Sequence, residues 1–246
     1  MEILDRPINT RFSNTNNVHC FSFNSLSKIN NDFESSINRI RNAINEIDKD
    51  KETSAISYKG LFSMITSLLD FYLHQVACCI NKPLVAFSPN KLNLRMRELK
   101  VSFSECLSIY NKPKRQDQIK RTQELLEKLL FKDPLQGDWG ICSFSKWIGI
   151  DVSYNEKDRK YILNKKDNSS RDEDYIKFLN LNVDFLKNLR KLRNPGVHQF
   201  FVDRESQEES VMSKDELIEW CDKAKNFQNG IHEIINNMFN DNGSRK

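Results

Sequence analysis

Apolar residues in this chain recur at steps of three and four, a period that few architectures other than packed helices can use. Phe33, Ile37, Ile40, Ile44 and Ile47 fall on one face of a helix. From about Ser54 to Ile80 the chain is apolar on more than one side, through Leu61, Phe62, Ile65, Leu68, Leu69, Tyr72, Leu73 and Val76. That pattern predicts a central helix covered by several neighbours. Two prolines between Asn81 and Pro89 predict its end, because proline removes a backbone donor and crowds the preceding turn. Helical spacing returns from Lys91 to Phe131, with a break near Asn111-Lys112-Pro113. Ser170-x-x-Glu173 and Ser213-x-x-Glu216 have the spacing of reciprocal N-terminal caps. The first opens a stripe of Tyr175, Phe178, Leu179, Val183, Leu186 and Leu189, and the second a stripe of Leu217, Trp220, Ala224, Phe227, Ile231 and Ile234. Two long C-terminal helices are predicted, and five or six helices in all make an all-α bundle.

Composition narrows the reading further. With 7 Gly and 6 Pro in 246 residues, a Gly-rich all-β fold is excluded, and this length can bury one substantial core. A formal charge of +4 is too mild for a protein that coats nucleic acid or membrane by charge alone. The expected organisation is a polar lead over 1–24, one helical domain over 25–240 and a polar tail over 241–246. Within that domain, 133–166 carries Pro134, Gly137, Gly140 and Gly149, and reads as a loop-rich insert with one short helix or hairpin. The opening MEILDRPINTRFSN has no basic stretch followed by an apolar one, and no later run of about 18 uncharged apolar residues is evident, so the expectation is a soluble cytoplasmic protein without a membrane partner. The six cysteines form no C-x-x-C pair and have no His at ligand spacing, which predicts no metal site. The even count would allow three disulfides, but the adjacent Cys78-Cys79 inside an apolar run fits reduced thiols better, so the cysteines are expected to be free and buried, and no cofactor is expected.

One short stretch carries chemistry. Arg193-Asn194-Pro195-Gly196-Val197-His198 holds Arg-x4-His with Asn directly after the Arg. An Arg followed five positions later by His is expected about 0.23 times in a random chain of this composition, and requiring the Asn lowers that to about 0.025. Asn is a favoured N-cap and Pro a favoured first helical residue, so Asn194 and Pro195 predict a helix start. Arg193 and His198 would then flank a helix N-terminus, whose unpaired N–H groups favour phosphate. The plainer reading is a polar turn between helices.

With that motif, the chain resembles the HEPN superfamily, all-α domains many of which are RNases of toxin, antiphage and RNA-repair-associated systems. The resemblance extends to a buried early helix with an acidic residue (Leu68-Leu69-Asp70-Phe71-Tyr72-Leu73), a helix leading into the motif and a capped final helix from Ser213. It covers roughly Ser54 to Ile80 and Ser170 to Phe239. It implies a HEPN-like bundle acting as a metal-independent endoribonuclease on RNA, transfer RNA included, with two copies of the motif facing each other across a homodimer. Arg193 and His198 would be catalytic, Asn194 would position them, and Asp70 would hold Arg193. A toxin or antiphage effector is the implied biology, and an antitoxin or sensor is the kind of partner that belongs to it. Phe200 stands where the family's nucleotidylated Tyr lies two residues past the His, so that form of silencing does not carry over.

Outside the motif, basic residues outnumber acidic ones two to one from Lys91 to Phe131. Lys114, Arg115, Lys120 and Arg121 are the candidate RNA contacts, against the alternative of a solvated helix face with i,i+4 pairs. His19, His74 and His232 read as structural or surface residues. The competing function is a noncatalytic helical module that binds RNA, a nucleotide or a partner.

Overall fold

The computed structural model describes residues 20–47, 51–87, 99–164, 170–198 and 212–240. Within them the chain forms helices α1 (Cys20–Glu46), α2 (Lys51–Phe87), α3 (Phe103–Tyr110), α4 (Arg115–Leu130), α5 (Gly137–Trp147), α6 (Ser170–Leu181), α7 (Val183–His198) and α8 (Lys214–Asn240), with one antiparallel hairpin of β1 (Val152–Asn155) and β2 (Lys160–Leu163). The all-α expectation holds, with more helices than periodicity alone suggested. Of the polar lead expected over 1–24, residues 20–24 belong to α1, and 1–19 lies outside the described residues, as do the tail over 241–246 and Lys91–Glu98.

Helix α2 is the axis of the bundle and packs against α1, α4, α5, α7 and α8. Phe62, Ile65, Leu69, Tyr72, Leu73, Val76 and Ala77 on it are buried. An 18-residue window within its Ser57–Pro83 stretch reaches a mean hydropathy of 1.2, apolar enough by length and composition to cross a membrane, although Asp70 keeps it from being an uncharged run. Half of that window is buried inside the fold, as in the core helix of a bundle. On one side lies α1, whose Phe33, Ile37, Ile40 and Ile44 form the predicted stripe, and on another α8, with Leu217, Trp220, Cys221, Ala224, Phe227, Ile231 and Ile235 buried. Ser213 caps α8 as its sequence predicts, accepting from the Glu216 N–H while the Glu216 carboxylate accepts from the Ser213 N–H.

Three expectations from local sequence are overturned by tertiary packing. Helix α2 does not stop at Asn81 but runs through Pro83 to Phe87. The fully buried Asn81 donates to the carbonyls of Ala77 and Trp147, both at 2.8 Å, and so ties this stretch into the core. The single helix expected from Ser170 divides at Asn182, whose amide donates to the Phe178 carbonyl at 2.9 Å and separates α6 from α7. The described part of the expected insert, 133–164, holds the short helix and the hairpin that its sequence allowed as alternatives, and it is packed rather than loop-rich, since Ile141, Phe144, Trp147, Ile148, Ile150, Val152 and Tyr161 are all buried. The hairpin is fastened to α6 by Asn180, which accepts from the Tyr161 N–H at 2.7 Å and donates to its carbonyl at 3.2 Å.

Two glycines explain how this segment folds so tightly. Gly149, at φ 93°, ends α5 in the left-handed region, and the Ile150 N–H reaches back to the Ser145 carbonyl at 2.9 Å. At Gly140 a Cβ would lie 2.5 Å from the Leu135 backbone carbon, too close for any side chain. Gly140→Ala is therefore expected to cost about 1–3 kcal/mol, read as a lower melting temperature, because backbone rather than a flexible side chain must move. Thermal melting of the variant beside wild type checks this.

His232 generates a pH dependence. Its Nδ1 is buried without a hydrogen-bond partner among the described residues, and burial lowers its pKa, with Glu34 opposing. Between the lowered folded value and the ordinary unfolded value of about 6.5, the unfolded chain binds more protons, so this group weakens the fold as pH falls through that window. His232→Gln should flatten that part of the stability profile, which denaturant titrations between about pH 7.5 and 5 would read.

Candidate functional site

The motif is carried by α7, which the buried side chains of Val183, Phe185, Leu186 and Leu189 anchor against α2, α5 and their neighbours. Helix α7 continues through Arg193, Asn194 and Pro195 to His198. Asn194 is therefore not an N-cap and Pro195 is not a first helical residue, because the ordered turns from Val183 onward extend over the motif. This removes the expected free donors: inside a helix each N–H bonds the carbonyl four residues back, so the motif's backbone offers no helix N-terminus to a phosphate. A regular helix also sets positions 193 and 198 about 7.5 Å apart along its axis and about 140° apart around it. The side chains of Arg193, Asn194 and His198 lie outside the described residues.

Asp70 sits on α2, one turn before His74. Its Oδ1 accepts from the N–H groups of Leu135 at 2.7 Å and Gln136 at 3.2 Å, the residues that lead into α5. His74 is buried, its Nε2 donating toward the carbonyls of Leu130 at 3.0 Å and Asp133 at 3.1 Å, and its Nδ1 lying 2.7 Å from the Asp70 carbonyl. Its ring stacks on Phe131 at 4.5 Å. Together Asp70 and His74 grip both ends of the turn between α4 and α5, so Asp70 has a structural task distinct from the one expected of it. A cavity of about 300 Å³ borders the same turn, lined in part by Leu99, Lys100, Leu130, Lys132, Asp133 and Trp147.

The four candidate RNA contacts begin at the N-terminus of α4. Lys114, Arg115 and Lys120 are exposed, whereas Arg121 is half-buried, donating to Glu124 at 3.1 Å and to Ser108 at 3.4 Å. Arg121 is thus held within the fold. Among the described residues, no hydrogen bond or ion pair joins Asp70 or these basic groups to one another.

Cysteine chemistry is equally local. Cys78 and Cys221 are buried, Cys79 and Cys142 are half-buried, and Cys106 is exposed against the expectation of buried thiols. Burial pushes the thiols of Cys78, Cys142 and Cys221 up to about 11, which makes them poor nucleophiles near neutrality. Among the described residues no group of three or more His, Cys, Asp and Glu converges in a way that would hold a metal ion. Comparison with family models, with curated proteins and with solved structures finds no match to this chain.

The two roles for Asp70 can be separated. Asn keeps an oxygen for the Leu135 and Gln136 N–H groups, whereas Ala leaves them without an acceptor, at a cost of about 1–3 kcal/mol. A grip on the turn predicts that Asp70→Asn is much milder than Asp70→Ala in thermal stability. A charge that holds Arg193 predicts instead that both variants lose activity equally, which paired melting and activity measurements would reveal.

Proposed function

We propose that this protein is a metal-independent endoribonuclease of the HEPN type, working as a homodimer in the cytoplasm as a toxin or antiphage effector. The observation that carries this reading is Arg193-Asn194-x3-His198 on one helix of an all-α fold. RNA supplies its own nucleophile, the 2′-OH beside the phosphate. The protein then has to remove that proton, stabilise the crowded phosphorane and protonate the leaving 5′-oxygen. His198 suits the proton transfers, and Arg193 can bind a phosphate through two parallel N–H groups. The spacing of about 140° around α7 favours a site assembled from two copies, with the Arg of one beside the His of the other. Because the motif lies inside a helix whose N–H groups are used within it, the Arg side chains have to carry phosphate recognition.

The test is cleavage of labelled RNA in EDTA by wild type, Arg193→Ala and His198→Ala proteins that are folded and equally oligomeric. Wild type alone should cut, leaving 2′,3′-cyclic phosphate and 5′-hydroxyl ends. The loss in His198→Ala should be at least about 10²-fold, and DNA of the same sequence should be untouched. Light scattering should give about twice 29.0 kDa. Equal cutting by all three proteins, or a strict monomer that cuts, would reject the reading. The second reading, a binding module without cleavage, draws on the exposed basic start of α4 and predicts RNA binding that survives His198→Ala.

A further inference from the structure

The cavity of about 300 Å³ beside the turn between α4 and α5 is apolar inside and carries its charges at the mouth. Leu99, Leu129, Leu130, Leu135 and Trp147 form its walls, and Leu130, Leu135 and Trp147 are buried. Polar side chains of α2 set these walls in place. His74 bonds the carbonyls of Leu130 and Asp133, Asp70 accepts from the Leu135 N–H, and Asn81 donates to the Trp147 carbonyl. Four of the residues around the cavity are thereby pinned through their backbones. The cavity is largely pre-formed, and a ligand that enters it has little ordering to offset. Water suits such walls poorly, because it needs about two to four polar partners and aliphatic side chains supply none.

The mouth decides the charge of the ligand. Lys100, Lys132 and Asp133 are the charged residues around the cavity, and all three are exposed. Neither lysine has an ion-pair partner among the described residues. A lysine that borders an apolar cavity and is still exposed lays its stem along the wall and keeps its ammonium in water. Two such cations against one carboxylate leave the rim positive, which attracts an anion. Ser143 also borders the cavity, and its hydroxyl, without a hydrogen-bond partner among the described residues, can donate to that anion. At the roughly 30 Å³ that one water takes up in the liquid, a cavity of about 300 Å³ holds about ten non-hydrogen atoms. We propose that this cavity binds a small amphipathic anion of that size, a medium-chain carboxylate or phosphate monoester, with its tail among Leu129, Leu130, Leu135 and Trp147 and its head at Lys100 and Lys132. The site shares no residue with Arg193 and His198 and does not rest on the nuclease reading.

Octanoate matches that size and is titrated into the full-length protein by isothermal calorimetry, with octyl phosphate, octanol and octylammonium beside it. At least one of the two anions should bind with a Kd below about 1 mM, the weak end for a ligand of this size, and the tighter of them identifies the head group. Octanol and octylammonium should bind at least tenfold more weakly. Lys100→Gln with Lys132→Gln alters exposed side chains, so melting temperature should be unchanged while affinity for the tighter anion falls at least tenfold. Ser143→Leu, which puts an apolar side chain into the cavity, should abolish binding of every probe in a protein that circular dichroism shows to be folded. No heat of binding from either anion at about 5 mM overturns the proposal. So does an equal affinity for octanol or octylammonium. Anion binding that survives both the lysine pair and Ser143→Leu overturns it as well, because the anion then sits elsewhere.

Discussion

Everything else in this fold is arranged around the burial of α2. A helix covered on several sides gains a large apolar contribution, but every polar group on its buried faces needs a partner inside the protein. Asp70, His74 and Asn81 are such groups, and each is used to fasten a distant segment. Asp70 accepts from the entrance to α5, His74 donates to the exit of α4, and Asn81 donates to the C-terminal end of α5. The polar residues of the central helix thereby fix the path of the chain from the end of α4 to the end of α5.

That arrangement also explains what was legible in the sequence. Helices α1 and α8 could be read because one face of each is buried, and burial writes the period of about 3.6 directly into residues such as Phe33, Ile37, Ile40 and Ile44, while α2 could be read because it is apolar on several sides. Pro83 and Pro195 misled because local preference yields when flanking turns are held by tertiary packing. Segment 133–166 misled because its glycines, which suggest loops, serve close approach at Gly140 and a helix end at Gly149. The Ser102-x-x-Glu105 cap was present in the sequence and could have announced α3. Which way α3 faces could not be read, since an amphipathic pattern gives the two faces without saying which is turned inward.

For the candidate site the sequence supplied residue types, and the backbone supplied a constraint on them. A motif carried inside a helix, with its two ionisable positions on different sides of the axis, cannot lean on backbone N–H groups for anion binding. Whatever such a pair does to a phosphate is done by side chains, and with members from more than one copy if both act on one atom. The all-α frame permits this without enforcing it.

Finally, the pairing of α1 with α8 has a bearing on when the molecule comes into being. Arg41 meets Asp222 at 2.6 Å across a separation of 181 residues, and Asn30 bonds Gln228 deeper in the same seam. On a ribosome, α1 emerges early and can lean on α2, yet its outer seam stays open until the last helix has been made. Until α8 has been made the bundle therefore has no finished form, and whatever depends on that seam comes into being last.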